Sequence, residues 1–219
     1  MSILEQAEAA DHYLAAVAAS PINAAARAAC SYTLWPDQTL AVQAQAMVGS
    51  AAKVVILHPT AEGGMPHTRG LVGVAGLPQS KANVKGMIAL PAYFPESRLA
   101  ETLRHELVHI EQRVAPPVLE PVWQRADERE IPEHFLVRAR LNPDTFTARW
   151  WAWEGRHIPI PVFEREDKPR LQDITVFWYN RQTGRAIRQP PATFTEIYGD
   201  VTPAQAEHPY ELAAYLPTM

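Results

Sequence analysis

Residues 96–113 read ESRLAETLRHELVHIEQR, a run without glycine or proline that ends just ahead of Pro116 and Pro117. Leu99, Leu103, Leu107 and Ile110 recur at helical spacing and can bury one side, Ser97 can cap the start, and the prolines discourage continuation. The pattern predicts a helix over 96–113. Within it, HELVH sets His105 and His109 one turn apart, so that their rings can converge on one tetrahedral ion. Glu106, next to the first histidine, can reach water at that ion without coordinating it. Zinc in such a place lowers the pKa of water and polarises a carbonyl. Glu106 can then accept the water proton and deliver one to a departing amine. The spacing thus pairs histidines for coordination with a glutamate for proton transfer.

A third ligand has to come from elsewhere in the chain. The first candidate is Glu211, in the stretch HPYELAAYL at 208–216. There His208 can cap a short helix, Pro209 suits its first position, and Glu211 falls in its first turn, with Leu212 and Leu216 as anchors. Glu111 lies only two residues beyond His109 and points to another side of the helix. Glu128, Glu130, His134, His157 and His208 stay open, because folding can recruit distant residues. In GGMPHTRG, residues 63–70, His67 and Arg69 can stand at a cleft rim and stabilise substrate or oxyanion charge. Tyr215 shares a helical face with Glu211 and ranks ahead of Tyr210 as a phenolic donor to a transition state.

Further out, the elements read as a mixed set. Residues 3–18 form an alanine-rich helix with Ile3, Leu4, Tyr13, Leu14 and Val17 as packing residues, and residues 36–48 form another with Pro36 in its first turn. KVVIL at 53–57 is a strand candidate that leads into HPTAEGGMPHTRG at 58–70, an irregular loop by its glycines and Pro66, and the segment 86–90 is a further strand candidate. Asn142–Pro143–Asp144 reads as a helix entry, which predicts a helix carrying Phe146, Trp150, Trp151 and Trp153, aromatic groups fit for packing. Residues 157–163 and 171–179 are extended, with a turn at 180–184.

The whole chain of 219 residues has 47% hydrophobic and 20% charged side chains, a globular composition. Its 20 basic and 24 acidic residues give a formal charge of −4 with no concentrated basic run, which argues against nucleic acid as a partner. The single cysteine, Cys30, excludes an intrachain disulfide and a multi-cysteine zinc knot, and is expected as a small buried side chain in an alanine-rich helix. No apolar run reaches the length of a membrane span, and acidic residues occupy the start where a signal peptide carries positive charge. Cytoplasmic folding is the simplest expectation, with signal-independent secretion as the other. No feature of the sequence fixes an oligomeric state.

HELVHIEQR resembles the active helix of the zincin metallopeptidases. HPYELAAYL is similar to a terminal motif of some glutamate-ligand zincins, in which asparagine and proline are followed by glutamate and alanine. By that resemblance His105 and His109 match the two histidine ligands, Glu106 the catalytic acid–base and Glu211 the third ligand. His208 stands where the motif has asparagine, and the later histidine of another zincin branch is absent. The resemblance covers residues 99–113 and 203–216. It implies an α+β fold, a zincin-like core with N-terminal helices and a short mixed sheet. Residues 1–219 would form a single catalytic domain, with 1–50 a helical supporting region. It also implies a Zn2+ cofactor, an active helix beneath a cleft flanked by an edge strand (here 86–90), and hydrolysis of peptide bonds in a peptide or protein substrate. A metal-dependent amidase acting on a non-peptide or peptide-conjugate substrate is the nearest alternative. A noncatalytic metal-stabilised interaction protein, using the 150–153 aromatics as a surface, is the alternative of another class; Glu106 argues against it.

Overall fold

The computed structural model describes residues 1–71, 86–117, 119 and 121–215. Along the chain run α1 (Ile3–Asp11), α2 (Tyr13–Ala19), α3 (Pro21–Ala26), α4 (Gln38–Val48), β1 (Lys53–Leu57), β2 (His67–Gly70), β3 (Gly86–Pro91) and α5 (Glu96–Val114). They are followed by β4 (Trp123–Arg125), α6 (Glu133–Leu136), β5 (Trp151–Trp153), β6 (His157–Phe163), β7 (Ile174–Asn180), β8 (Arg185–Ile187), α7 (Ala192–Tyr198), α8 (Pro203–Ala206) and α9 (Pro209–Tyr215). N-terminal helices followed by a mixed and an antiparallel sheet match an α+β, zincin-like architecture. The chain divides into two compact units, one of Met1–Ala19, Arg27–Pro116 and Asn142–Phe146, the other of Ser20–Ala26, Pro117–Leu141 and Thr147–Met219. Among the described residues no helix is long and apolar enough to cross a membrane.

The sheet of the first unit has the order β1-β3-β2, with β1 parallel and β2 antiparallel to β3. β1 from Val54 and β3 read as nearly unbroken apolar runs because both of their faces are covered, whereas β2 is the polar stretch HTRG. Val54, Ile56, Ile88 and Leu90 pack with Leu40, Ala44 and Val48 of α4 and with Leu99, Leu103 and Ile110 of α5. The alternate residues Val55, Leu57, Met87 and Ala89 pack with Ala7 of α1. Period-two alternation in the strands therefore serves two helical layers. At Gly86 a Cβ would stand 2.7 Å from Ile110 Cδ1 and 2.8 Å from the Arg69 carbonyl oxygen, so only glycine lets β3, β2 and α5 approach this closely.

Several expectations need correction here. The helix expected over 3–18 is two helices, because His12 adopts the left-handed region at φ 55°. The Asp11 carboxylate accepts the Tyr13 N–H, and the Glu8 carboxylate accepts those of Leu14 and Ala15, so two acids satisfy the start of α2 and make the break affordable. Pro36 precedes α4, whose cap is Asp37 accepting from the Leu40 N–H. Ser97 lies inside the first turn of α5, and Pro95 stands at the cap position without a side-chain hydrogen bond. Cys30 is half-buried and lies beyond the end of α3. Residues 86–90 fall in β3, the middle strand of its sheet and hydrogen-bonded on both sides, so they offer no free edge.

The second unit holds an antiparallel sheet of order β4-β5-β6-β7-β8. Trp123, Trp151, Trp153, Val176 and Trp178 share one cluster with Phe194 of α7, Ala206 of α8, and Tyr210 and Leu212 of α9. Trp150, Ala152, Ile158, Ile160, Val162 and Tyr179 fill another with Ile131 and Phe135. The helix expected after Asn142 is therefore absent: residues 146–148 make one 3-10 turn, and the tryptophans continue into β5. Trp151 and Trp153 point one way and Trp150 and Ala152 the other, the alternation of a strand rather than the stripe of a helix. All three tryptophans are buried, in keeping with a packing role. Pro159 and Pro161 fit within β6 because the Pro161 carbonyl turns away from β7 and accepts the Arg140 N–H at 2.8 Å; the missing amides of these alternate residues cost no bond to β7.

Candidate metal centre

Helix α5 buries Leu99, Leu103 and Ile110 against the sheet, which fixes its rotation and hence the direction of the polar residues between them. His109 is fully buried, Glu106 nearly so, and His105 is half-buried. The two imidazoles stand with Nε2 atoms 3.1 Å apart and ring planes at 77°. Two nitrogens bound to one tetrahedral zinc at 2.0–2.1 Å would be about 3.3 Å apart. The side chains thus already have the spacing that such an ion requires. On the far side of His109, Nδ1 is 2.8 Å from the Gln112 amide oxygen.

The last turn of α5 is held by Arg113, whose guanidinium donates to the carbonyls of Thr68 (3.1 Å), Pro143 (2.7 Å) and Asp144 (3.2 Å). Burial pushes its pKa down from the ordinary range, and Asp144 opposes that shift. Asp144 in turn accepts from both the N–H and the hydroxyl of Thr68, at 2.6 and 2.8 Å. In an antiparallel pair alternate residues turn both backbone groups outward. Thr68 is such a residue of β2, opposite Ile88, and Asp144 and Arg113 take the places a neighbouring strand would fill.

Glu211 is buried in the first turn of α9. His208 Nδ1 accepts the Tyr210 N–H at 3.1 Å, while its Nε2–H donates to the Ala148 carbonyl at 2.7 Å. The imidazole supplies the acceptor that a capping asparagine amide would supply, which accounts for histidine at this point of the motif. Tyr210 and Leu212 sink into the aromatic cluster on either side of Glu211. Leu216, expected as a further anchor, lies outside the described residues.

His105, His109 and Glu211 each offer one ligand atom, and these atoms all lie within 4.8 Å of one another. Among the described residues this is the one group of three with metal-ligand chemistry. It is a divalent-metal site in its donor set, and it matches the zincin arrangement of an HExxH helix with a distal glutamate. No family model matches the chain, and neither a curated protein nor a solved structure matches it.

The other candidates are engaged elsewhere. Glu128 accepts from Trp150 Nε1, Glu130 pairs with Arg181, and His157 meets Asn180. His134 lies against Phe135, and Glu111 is exposed on α5. Arg69 is not at a rim: it is wholly buried, gripped by Asp11 and Glu8. His67 is buried as well, with Nε2 2.8 Å from the Tyr32 hydroxyl and Nδ1 3.2 Å from the Met65 carbonyl. Tyr215 is half-exposed at the end of α9. Gln112, Arg113 and Asp144 escaped the sequence reading. Gln112 and Arg113 could have been found as polar residues three and four positions beyond His109; Asp144 carried only the signal of a helix start.

Proposed function

We propose that this chain hydrolyses peptide bonds with a single zinc ion held by His105, His109 and Glu211, and that residues 1–219 serve one catalytic domain. The observation that carries the proposal is the convergence of two imidazoles and a carboxylate beside Glu106. When bound, zinc supplies Lewis acidity to a scissile carbonyl and to water. Glu106 accepts a proton from the attacking water and returns one to the departing amine. The Tyr215 phenol donates a hydrogen bond to the developing oxyanion. His67 takes no direct part, since both of its ring nitrogens are already engaged within the first unit.

A metal-dependent amidase acting on a compact or conjugated substrate is the second reading. It is favoured by Thr68, whose outward backbone groups on β2 are already taken by Asp144 and Arg113, which disfavours a long peptide adding to that strand.

Metal content measured beside turnover of a peptide library tests both readings. Glu106→Gln should keep the metal and lose about 10²–10⁴-fold in turnover, whereas His105→Ala and His109→Ala should lose both. Equal, metal-independent turnover by the wild type and Glu106→Gln would end the proposal. Zinc-dependent cleavage confined to short or conjugated amides would select the second reading.

A further inference from the structure

We infer that Gln112 is a positioning residue for the metal site, setting the tautomer of His109 through its amide oxygen; the inference rests on the zinc reading above. His109 is wholly buried, so its ring cannot turn to solvent for partners. Its Nδ1 faces the Gln112 Oε1 at 2.8 Å, and its Nε2 faces His105 Nε2 at 3.1 Å. A neutral imidazole carries one N–H and one lone pair, and a carbonyl oxygen can only accept. The proton therefore sits on Nδ1, and the Nε2 lone pair points toward His105 and the ion's place. Were the proton on Nε2, it would point at the ion, and a buried lone pair would oppose the amide oxygen.

The choice of an amide matters as well as its position. Gln112 lies one helical turn beyond His109, so the ligand and its support ride on one rigid element and keep their geometry together. An amide fixes the ring without adding negative charge. A carboxylate there would raise the basicity of the ligand and hold zinc more tightly while weakening its Lewis acidity. Gln112 thus orients His109 and leaves the ion electron-poor.

The test uses the full chain and zinc alone, with affinity read by competition against a chromophoric chelator. The His109 tautomer is read from 15N shifts in the metal-free protein. Gln112→Met, similar in shape but without an acceptor, should weaken zinc binding by about 10–100-fold and let the Nε2–H form appear. Gln112→Glu should restore binding to the wild-type level or beyond, with lower turnover per bound ion. A merely space-filling role would instead leave the tautomer unmoved in Gln112→Met and would give no rescue by Gln112→Glu. Unchanged zinc affinity in Gln112→Met, or an Nε2–H tautomer in the wild type, would overturn this inference alone. Failure of the wild type to take up zinc would overturn it together with the reading on which it rests.

Discussion

The two units bury different kinds of matter. The first hides charge: Arg69 with Asp11, Arg27 with Glu62 and the Tyr13 hydroxyl, Arg113 over three carbonyls. The second hides rings: Trp123, Trp153, Trp178 and Phe194 meet edge to face or tilted, with centroids 4.7–6.4 Å apart. Aromatic contact is broad and tolerant of small displacements, whereas a buried ion pair or amide is held only when its partners sit at hydrogen-bond distance. The unit with the HELVH helix thus has an interior specified by direction as well as by volume, while in the second unit such buried contacts, Arg140 with Glu207 among them, stand beside a larger aromatic mass.

That contrast predicts unlike responses to substitution. Asp11→Ala leaves Arg69 buried without its main partner and should destabilise the first unit by about 3–5 kcal/mol, while joint replacement of Asp11 by Leu and Arg69 by Met should recover most of that loss, the remainder belonging to the Tyr13 N–H and Glu8 contacts that go with the pair. Phe194→Ala should remove about 3–5 kcal/mol from the second unit, with no second substitution that rescues it so simply. Hydrogen exchange of the β1–β3 amides reports on the first unit. Tryptophan emission reports mainly on the second, which holds every tryptophan except Trp35. Equal rescue in both units would remove the distinction.

Acid should separate the units next. Burial lowers the His67 pKa below its ordinary value of 6.5, so the folded form binds fewer protons than the unfolded chain as pH falls. Stability from this group is full above pH 6.5 and declines through the window below it. His67→Gln should flatten that decline in the exchange-derived stability of the first unit; an unchanged slope would assign the acid response elsewhere. The smallest effect belongs to a polar contact of the second unit that lies at its surface. Thr202 caps α8 by accepting the Gln205 N–H at 3.3 Å. Thr202→Ala should lose about 1 kcal/mol or less in a denaturant titration followed by tryptophan emission.

The same contrast governs what could be read from the sequence. Helix α5 was legible because its apolar residues repeat on one side, and α9 because His208, Pro209 and Glu211 occupy the positions that helix starts favour. The strands at 53–57 and 157–163 were legible from branched residues and their boundaries. The break at His12 was hidden, since it depends on Asp11 and Glu8 turning their carboxylates onto the next helix. The 150–153 run was misread because rings buried on both sides leave no polar position to mark a period. Of the site, the two histidines, Glu106 and Glu211 stood out by residue type and spacing. The support beneath them did not, because Gln112, Arg113 and Asp144 acquire meaning only from the carbonyls and ring nitrogens that folding brings to them.

Gly86 carries a consequence for how this chain can change over time. A single methyl group there meets a backbone oxygen on one side and, on the other, the side chain of the residue directly after His109. The position has no chemistry of its own, yet it restricts drift in the HELVH helix more tightly than many residues that touch solvent. Variation in this protein should therefore pass freely over exposed positions such as Glu196 and Ile197 of α7 and stop at a site with no side chain at all.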